Sequence, residues 1–174
     1  MAGFNSTPSN MNFLSPVGFK FEIPKAPNFN YFIQEVDFPG ITLPQVKAPT
    51  PFAALNLPAE HMEWENLTIK FKLDEDLNGY FEIANWIISL GRPENSIAAN
   101  VIYNTPSYDV NSVYNKCSLT ILNSTMQPNV RITFDDVLPY KLSGFKLEST
   151  ASDISYVTAS LTLSYRQYKY EYVT

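Results

Sequence analysis

The segment from Val36 to Leu57, VDFPGITLPQVKAPTPFAALNL, constrains this chain more than any other. It carries four prolines, Pro39, Pro44, Pro49 and Pro51, and Pro58 follows directly. Proline fixes φ and has no amide hydrogen to donate, so such a segment is neither a helix interior nor a central strand. Yet it also holds Phe38, Ile41, Leu43, Val46, Phe52, Leu55 and Leu57, too much apolar surface for a solvated linker. Apolar residues exposed on loops mark protein interfaces, and proline reduces the entropy a free segment loses on docking. Residues 38–58 therefore read as an extended inter-subunit loop, unable to fold against itself. Pro39, Ile41, Leu43, Pro44, Val46, Phe52, Leu55 and Leu57 are its contact residues. A loop that caps the chain's own barrel is the alternative.

Strand patterns surround this segment. GFKFEIP (Gly18 to Pro24) and YFIQEVDF (Tyr31 to Phe38) are separated by a turn rich in Pro and Asn, and read as a hairpin. In MEWENLTIKFKL (Met62 to Leu73), Leu67, Ile69, Phe71 and Leu73 alternate with Thr68, Lys70 and Lys72, the period of a half-buried strand. Near the end, Val157, Ala159, Leu161, Leu163 and Tyr165 alternate with Thr158, Ser160, Thr162 and Ser164. The phase flips at Arg166-Gln167, which predicts a bulge. Further strands are expected at Cys117 to Asn123 and Asn129 to Val137, with a turn at Leu138 to Gly144.

One helix is expected, over about residues 76–90 of DEDLNGYFEIANWIISLGRP. Three acids open it, Gly91 and Pro93 close it, and Leu77, Phe81, Ala84, Ile87 and Ile88 recur at helical spacing. Leu77, Phe81, Ile87 and Ile88 are the residues expected to pack on the barrel. Residues 92–116 read as a long irregular loop, and residues 1–15 as a flexible polar arm without the pattern of a secretory signal. Residues 16–174 then form one mainly β domain, an antiparallel barrel or sandwich with a single flanking helix.

Chemistry-bearing motifs are sparse. His61 is the only histidine and Cys117 the only cysteine, so metal sites of several His or Cys are excluded, as is an internal disulfide. Cys117 is in phase with Leu119 and Ile121 and reads as a core residue. The acids at Asp74-Glu75-Asp76 cap a helix, and Asp135-Asp136 end a strand. No phosphate-cradling loop or nucleophile elbow occurs, so no catalytic, metal or cofactor site is expected. A net charge of −5 disfavours gripping nucleic acid. No apolar run is long enough to cross a membrane as a helix. The N-x-S/T triplets at Asn5, Asn66 and Asn123 read as chance matches.

A set of features in chain order resembles the tail tube proteins of contractile-tailed, T4-like bacteriophages. They are PVGFKFEI at Pro16 to Ile23, the turn EVDFPGITLP, WENLTIKF at Trp64 to Phe71, the acid-capped helix with Trp86, and DDVLPYKLSGFKLESTASDISYVTASLTLSYRQYKY from Asp135 to Tyr170. Type VI secretion tube proteins share that fold. The resemblance covers nearly the whole chain and implies hexameric rings that stack into a hollow tube. Neighbouring subunits would join their sheets into one inner barrel. The lumen would hold the tape measure protein and conduct genomic DNA, a sheath would wrap the outside, and a baseplate would close one end. The protein would reside in the virion after assembly in the host cytoplasm. Thr68, Lys70, Lys72, Thr158, Ser160, Thr162 and Ser164 would face the lumen, with loop acids offsetting the lysines. The long 92–116 segment and the N-terminal arm depart from the pattern, which keeps open a tube-end or baseplate adaptor of the same fold. A carbohydrate-binding β-sandwich that stacks sugars on Trp64, Trp86 and tyrosines is the reading from another class.

Overall fold

A computed structural model describes residues 12–49, 52–91, 115–148 and 156–173. In chain order the elements are β1 (Phe19–Glu22), α1 (Pro27–Tyr31), β2 (Ile33–Asp37), β3 (Ile41–Thr42), β4 (Gln45–Pro49), β5 (Ala54–Pro58), β6 (Glu63–Trp64), β7 (Leu67–Lys72), α2 (Asn78–Gly91), β8 (Asn115–Leu122), β9 (Pro128–Leu142), β10 (Thr158–Ser164) and β11 (Gln167–Tyr172). The main sheet has the order β1-β8-β9-β10-β7-β2, every neighbour antiparallel, and β11 pairs with β9 as well.

Strand β9 organises the molecule. Its first part pairs with β8 and β11, and its last part, from Leu138, pairs with β10. Between them alternation fails: Phe134 and Asp135 are both buried, and Asp136 takes a left-handed φ of 57°. The Asp135 carbonyl accepts the Arg166 N–H at 3.1 Å, so the partner strand breaks opposite, between Ser164 and Gln167. The phase flip is there, but not as a bulge of the last strand: Ser164 stands opposite Leu138 and Gln167 opposite Asp135, with no residue inserted. The extra residue is in β9 against β8, where Asn115 faces Val137 and Cys117 faces Phe134, and the kink bends one long ribbon into two half-sheets, β1-β8-β9-β11 and β9-β10-β7-β2. Phe21, Leu119, Ile132 and Phe134 from the first half, and Leu67, Ile69, Phe71, Leu161 and Leu163 from the second, are buried in one cluster. Ile83 and Trp86 of α2 join it, as does Phe29 of α1, whose ring meets Phe71 edge-on at 4.6 Å. Gly79 lets the helices meet closely: a Cβ there would stand 3.3 Å from the Phe29 Cα. The expected fold class, an antiparallel β barrel or sandwich with a flanking helix, is the one found.

Several local expectations need correction. Strands β1 and β2 are not a hairpin: β1 pairs with β8 and β2 with β7, and the connecting residues form α1, with Pro27 in its first turn. The predicted turn after Val137 is absent, because β9 continues through Pro139 to Leu142. Helix α2 begins at Asn78 behind an Asp74 carboxylate that accepts from the Asn78 and Gly79 N–H groups at 2.9 and 3.4 Å. Its inward face is Ile83 and Trp86, with Tyr80, Ile87 and Leu90 beside them. Phe81 and Ile88 are instead exposed, and Leu77, at φ 56°, lies in the turn ahead of the helix. The apolar residues of α2 form two stripes, and only one faces the core. The N-terminal arm and the 92–116 loop fall almost wholly outside the described residues, although Asn115 and Lys116 belong to β8.

Candidate assembly surfaces

The proline-rich segment does fold against itself. Strands β4 and β5 pair antiparallel, Gln45 opposite Pro58 and Pro49 opposite Ala54. Both strands of a two-stranded ribbon are edges, so a proline need not interrupt a ladder there. Register sorts the side chains. Val46 faces Leu57 and Ala48 faces Leu55 on one side, while Lys47 faces Asn56 on the other. Val46, Leu55 and Leu57 remain 57%, 55% and 44% exposed, and Phe52, between the strands, is fully exposed. The ribbon is thus an amphipathic arm with its apolar face open, a state that two strands alone hold only marginally.

The root of the arm is firm. The Ala59 N–H donates to the Pro44 carbonyl at 2.8 Å, and β3 pairs with β6, Ile41 opposite Trp64. The Gly40 N–H donates to Glu65 Oε2 at 3.1 Å, and a Cβ on Gly40 would lie 2.8 Å from that oxygen, so only glycine admits the carboxylate undisturbed. Trp64 and Phe38 stack edge-on against Tyr168 at 4.8 and 5.2 Å, with Phe134 and Tyr165 behind. Of the expected contact residues, Ile41, Leu43, Val46, Phe52, Leu55 and Leu57 are exposed, Pro44 is half-buried, and Pro39 is buried within its own chain. Gly40, Glu65 and the aromatic cluster were not anticipated. The flip that turns Tyr168 to the other face was the one sequence signal for them.

The polar faces of β7 and β10 form one surface. Thr158 stands opposite Lys72, Ser160 opposite Lys70 and Thr162 opposite Thr68, with Ser164 continuing the row. Beneath them Leu67, Ile69, Phe71, Ala159, Leu161 and Leu163 are buried. Lys141 of β9, and Glu35 and Asp37 of β2, extend the same face. The lysines are offset here by β2 rather than by loops: Lys70 Nζ meets Glu35 Oε1 at 2.8 Å. Their hydrogen bond holds the Glu35 carboxyl below and the Lys70 ammonium above their ordinary values. Lys72 Nζ sits 4.4 Å over the Tyr156 ring.

Among the described residues this half-sheet ends in two open edges: β2 pairs with β7 alone, and no strand pairs with the far side of Leu138–Leu142. Four alternately antiparallel strands put those edges in opposite directions.

At the bend, Asp135 is buried and ion-paired to Lys169 at 3.2 Å and Lys116 at 3.5 Å. Burial pushes its carboxyl up, but bonds from Lys169 and Gln167 and the two lysine charges outweigh that and hold it below its ordinary value. Burial likewise pushes the Cys117 thiol up to about 12, so it is a core residue with no reactive character. His61 is exposed between β5 and β6. Among the described residues no cluster of His, Cys, Asp or Glu has the makings of a metal site, and no helix is long and apolar enough to cross a membrane.

The architecture is that of the tube and cap proteins of contractile injection systems. In particular, the chain is similar to a chain of the anti-feeding prophage tube-terminating cap (TM-score 0.61, 10% identity, 99% of this chain and 100% of that one). It is similar to a chain of the PVC sheath/tube terminator of an extracellular contractile injection system (TM-score 0.58, 12% identity, 93% and 99% covered). The PVC sheath-tube complex in its extended state supplies another (TM-score 0.57, 12% identity, 94% and 95% covered). No protein-family model and no curated protein sequence matches the chain significantly.

Proposed function

We propose that this protein is a structural subunit of a contractile tail, forming hexameric rings that stack into its tube. The observation that carries the reading is the pair of edges of β9-β10-β7-β2 that no strand among the described residues covers. Because the number of strands is even, β2 of one copy meets β9 of the next antiparallel, and the same join repeats around a ring. Ring closure leaves neither edge free, which removes the aggregation hazard of exposed strands. The face carrying Thr68, Lys70, Lys72, Thr158, Ser160, Thr162 and Ser164 then lines the lumen. Its three lysines stand against Glu35 and Asp37, a nearly neutral wall. Such a wall lets a polyanion slide without holding it. The lumen holds the tape measure protein and conducts DNA, the sheath lies outside, the baseplate closes one end, and the particle is a phage virion assembled in the host cytoplasm. The β4–β5 arm docks on another copy through Val46, Leu55 and Leu57.

A second reading is a tube-end subunit, favoured by the likeness to a terminating cap and a terminator. Electron microscopy across a concentration series, with light-scattering mass, separates the two. Hexamer-sized rings that stack into hollow filaments support the tube body. Rings that never extend support the tube end. A protein that stays monomeric throughout, with preformed tube or baseplate supplied as template, overturns both.

A further inference from the structure

The arm has a tip, and the body has a hole that suits it. Phe52 at the tip is fully exposed. A cavity of about 320 Å³ opens between the edge of β1 and the β2 strand, lined by Leu14, Phe19, Val36, Phe38, Ile121 and Ile132. Its wall is apolar, and no described side chain of the same chain fills it. Phe38 also belongs to the aromatic cluster that holds the root of the arm, so the hole lies at the base from which the arm departs. The strands of the arm have five residues each, about 17 Å of extended chain. A stiffly rooted ribbon of that length carries its tip away from its own base.

We propose that Phe52 of one copy seats in the Leu14–Phe19–Val36–Phe38 socket of a second copy. This rests on the tube reading and assigns the arm its receptor. Tip and socket lie at opposite ends of one element, so the contact is head-to-tail. A copy that inserts its tip still offers its own socket, and a heterologous contact of this kind propagates as a stack unless rotation closes it. An aromatic ring entering a dry pocket is the sort of anchor that dominates an interface, while the apolar face behind it excludes water.

Disulfide trapping tests this. Phe52→Cys protein is mixed with Leu14→Cys protein under mild oxidation, with Tyr172→Cys, exposed on β11, as the control partner. Cys117 is buried with its thiol pushed up to about 12, so it stays silent. Covalent dimers with Leu14→Cys, not with Tyr172→Cys, are expected. Phe52→Ala is expected to weaken stacking roughly 30-fold or more while rings persist. Stacked rings without that crosslink, and with Phe52→Ala stacking like wild type, overturn the socket and leave the tube reading standing. No self-association and no crosslink overturns both.

Discussion

Arg166 Nε stands 2.7 Å from Asp136 Oδ2 across the ribbon, at the one residue of β9 with a left-handed φ. Arg166 is exposed and Asp136 half-buried, so the pair contributes modestly by itself; the conformation at Asp136 is the dearer feature. A left-handed φ costs an ordinary L-residue about 1–2 kcal/mol, and glycine almost nothing. Asp136→Ala is expected to lower stability by about 1 kcal/mol relative to Asp136→Gly. Urea midpoints at constant m check this, and equal midpoints would mean that the bend stores no strain at that position.

Asp135 makes stability depend on acid. Its carboxyl titrates lower in the folded chain than its ordinary value of 3.8. The ionised form therefore stabilises the fold fully above the unfolded value, and that contribution is lost as pH falls below 3.8 through the folded value. Asp135→Asn should cost about 1–3 kcal/mol near neutral pH, where the carboxylate otherwise bonds Lys169 and Gln167. Melting curves from pH 6 to 2 should converge for the two proteins at the acid end; parallel curves would remove Asp135 from the account.

The two stripes of α2 should behave differently. Ile83 is fully buried, and Ile83→Ala is expected to cost about 2–4 kcal/mol. Phe81→Ser and Ile88→Ser, at sites 52% and 54% exposed, should stay within about 0.5 kcal/mol in the free subunit. Chemical denaturation at concentrations below assembly is the check.

Deleting Pro44–Leu57 removes the exposed arm and the Pro44 carbonyl that pins its base. The body should keep its melting transition and lose the ability to stack. Filaments of normal length from the deleted protein would show that the arm is not a joint.

The parts of this fold that were legible in the sequence are those where one face is buried and the other wet. In β7 and β10, Leu67, Ile69, Phe71, Leu161 and Leu163 alternate with Thr, Ser and Lys, and the structure keeps that register. The flip at Arg166-Gln167 located the bend for the same reason. What was not legible depended on partners far along the chain. Nothing local tells Phe19–Glu22 to pair with β8 instead of β2. The face of α2 was ambiguous because Leu77, Phe81 and Ile88 are as apolar as Ile83 and Trp86, and periodicity does not say which stripe meets the core. The pairing of β4 with β5 was not foreseen because the prolines argue against a central strand, and a free ribbon has none. The polar face of the β7–β10 sheet was visible as a row of residues, but its lysine–glutamate pairing needed β2 alongside.

The open apolar face of the arm also bears on how a polymer of this chain would start. Two short strands without a third layer fray readily, so the arm of a free subunit must be ordered at each first encounter, and that entropy falls on a single contact. At the end of an existing ring, several contacts form together and share the cost of alignment. Subunits jointed by such arms would nucleate slowly and elongate quickly, with a lag that a preformed template abolishes. The length of the product would then be governed by where growth is seeded and stopped, more than by how much protein is present.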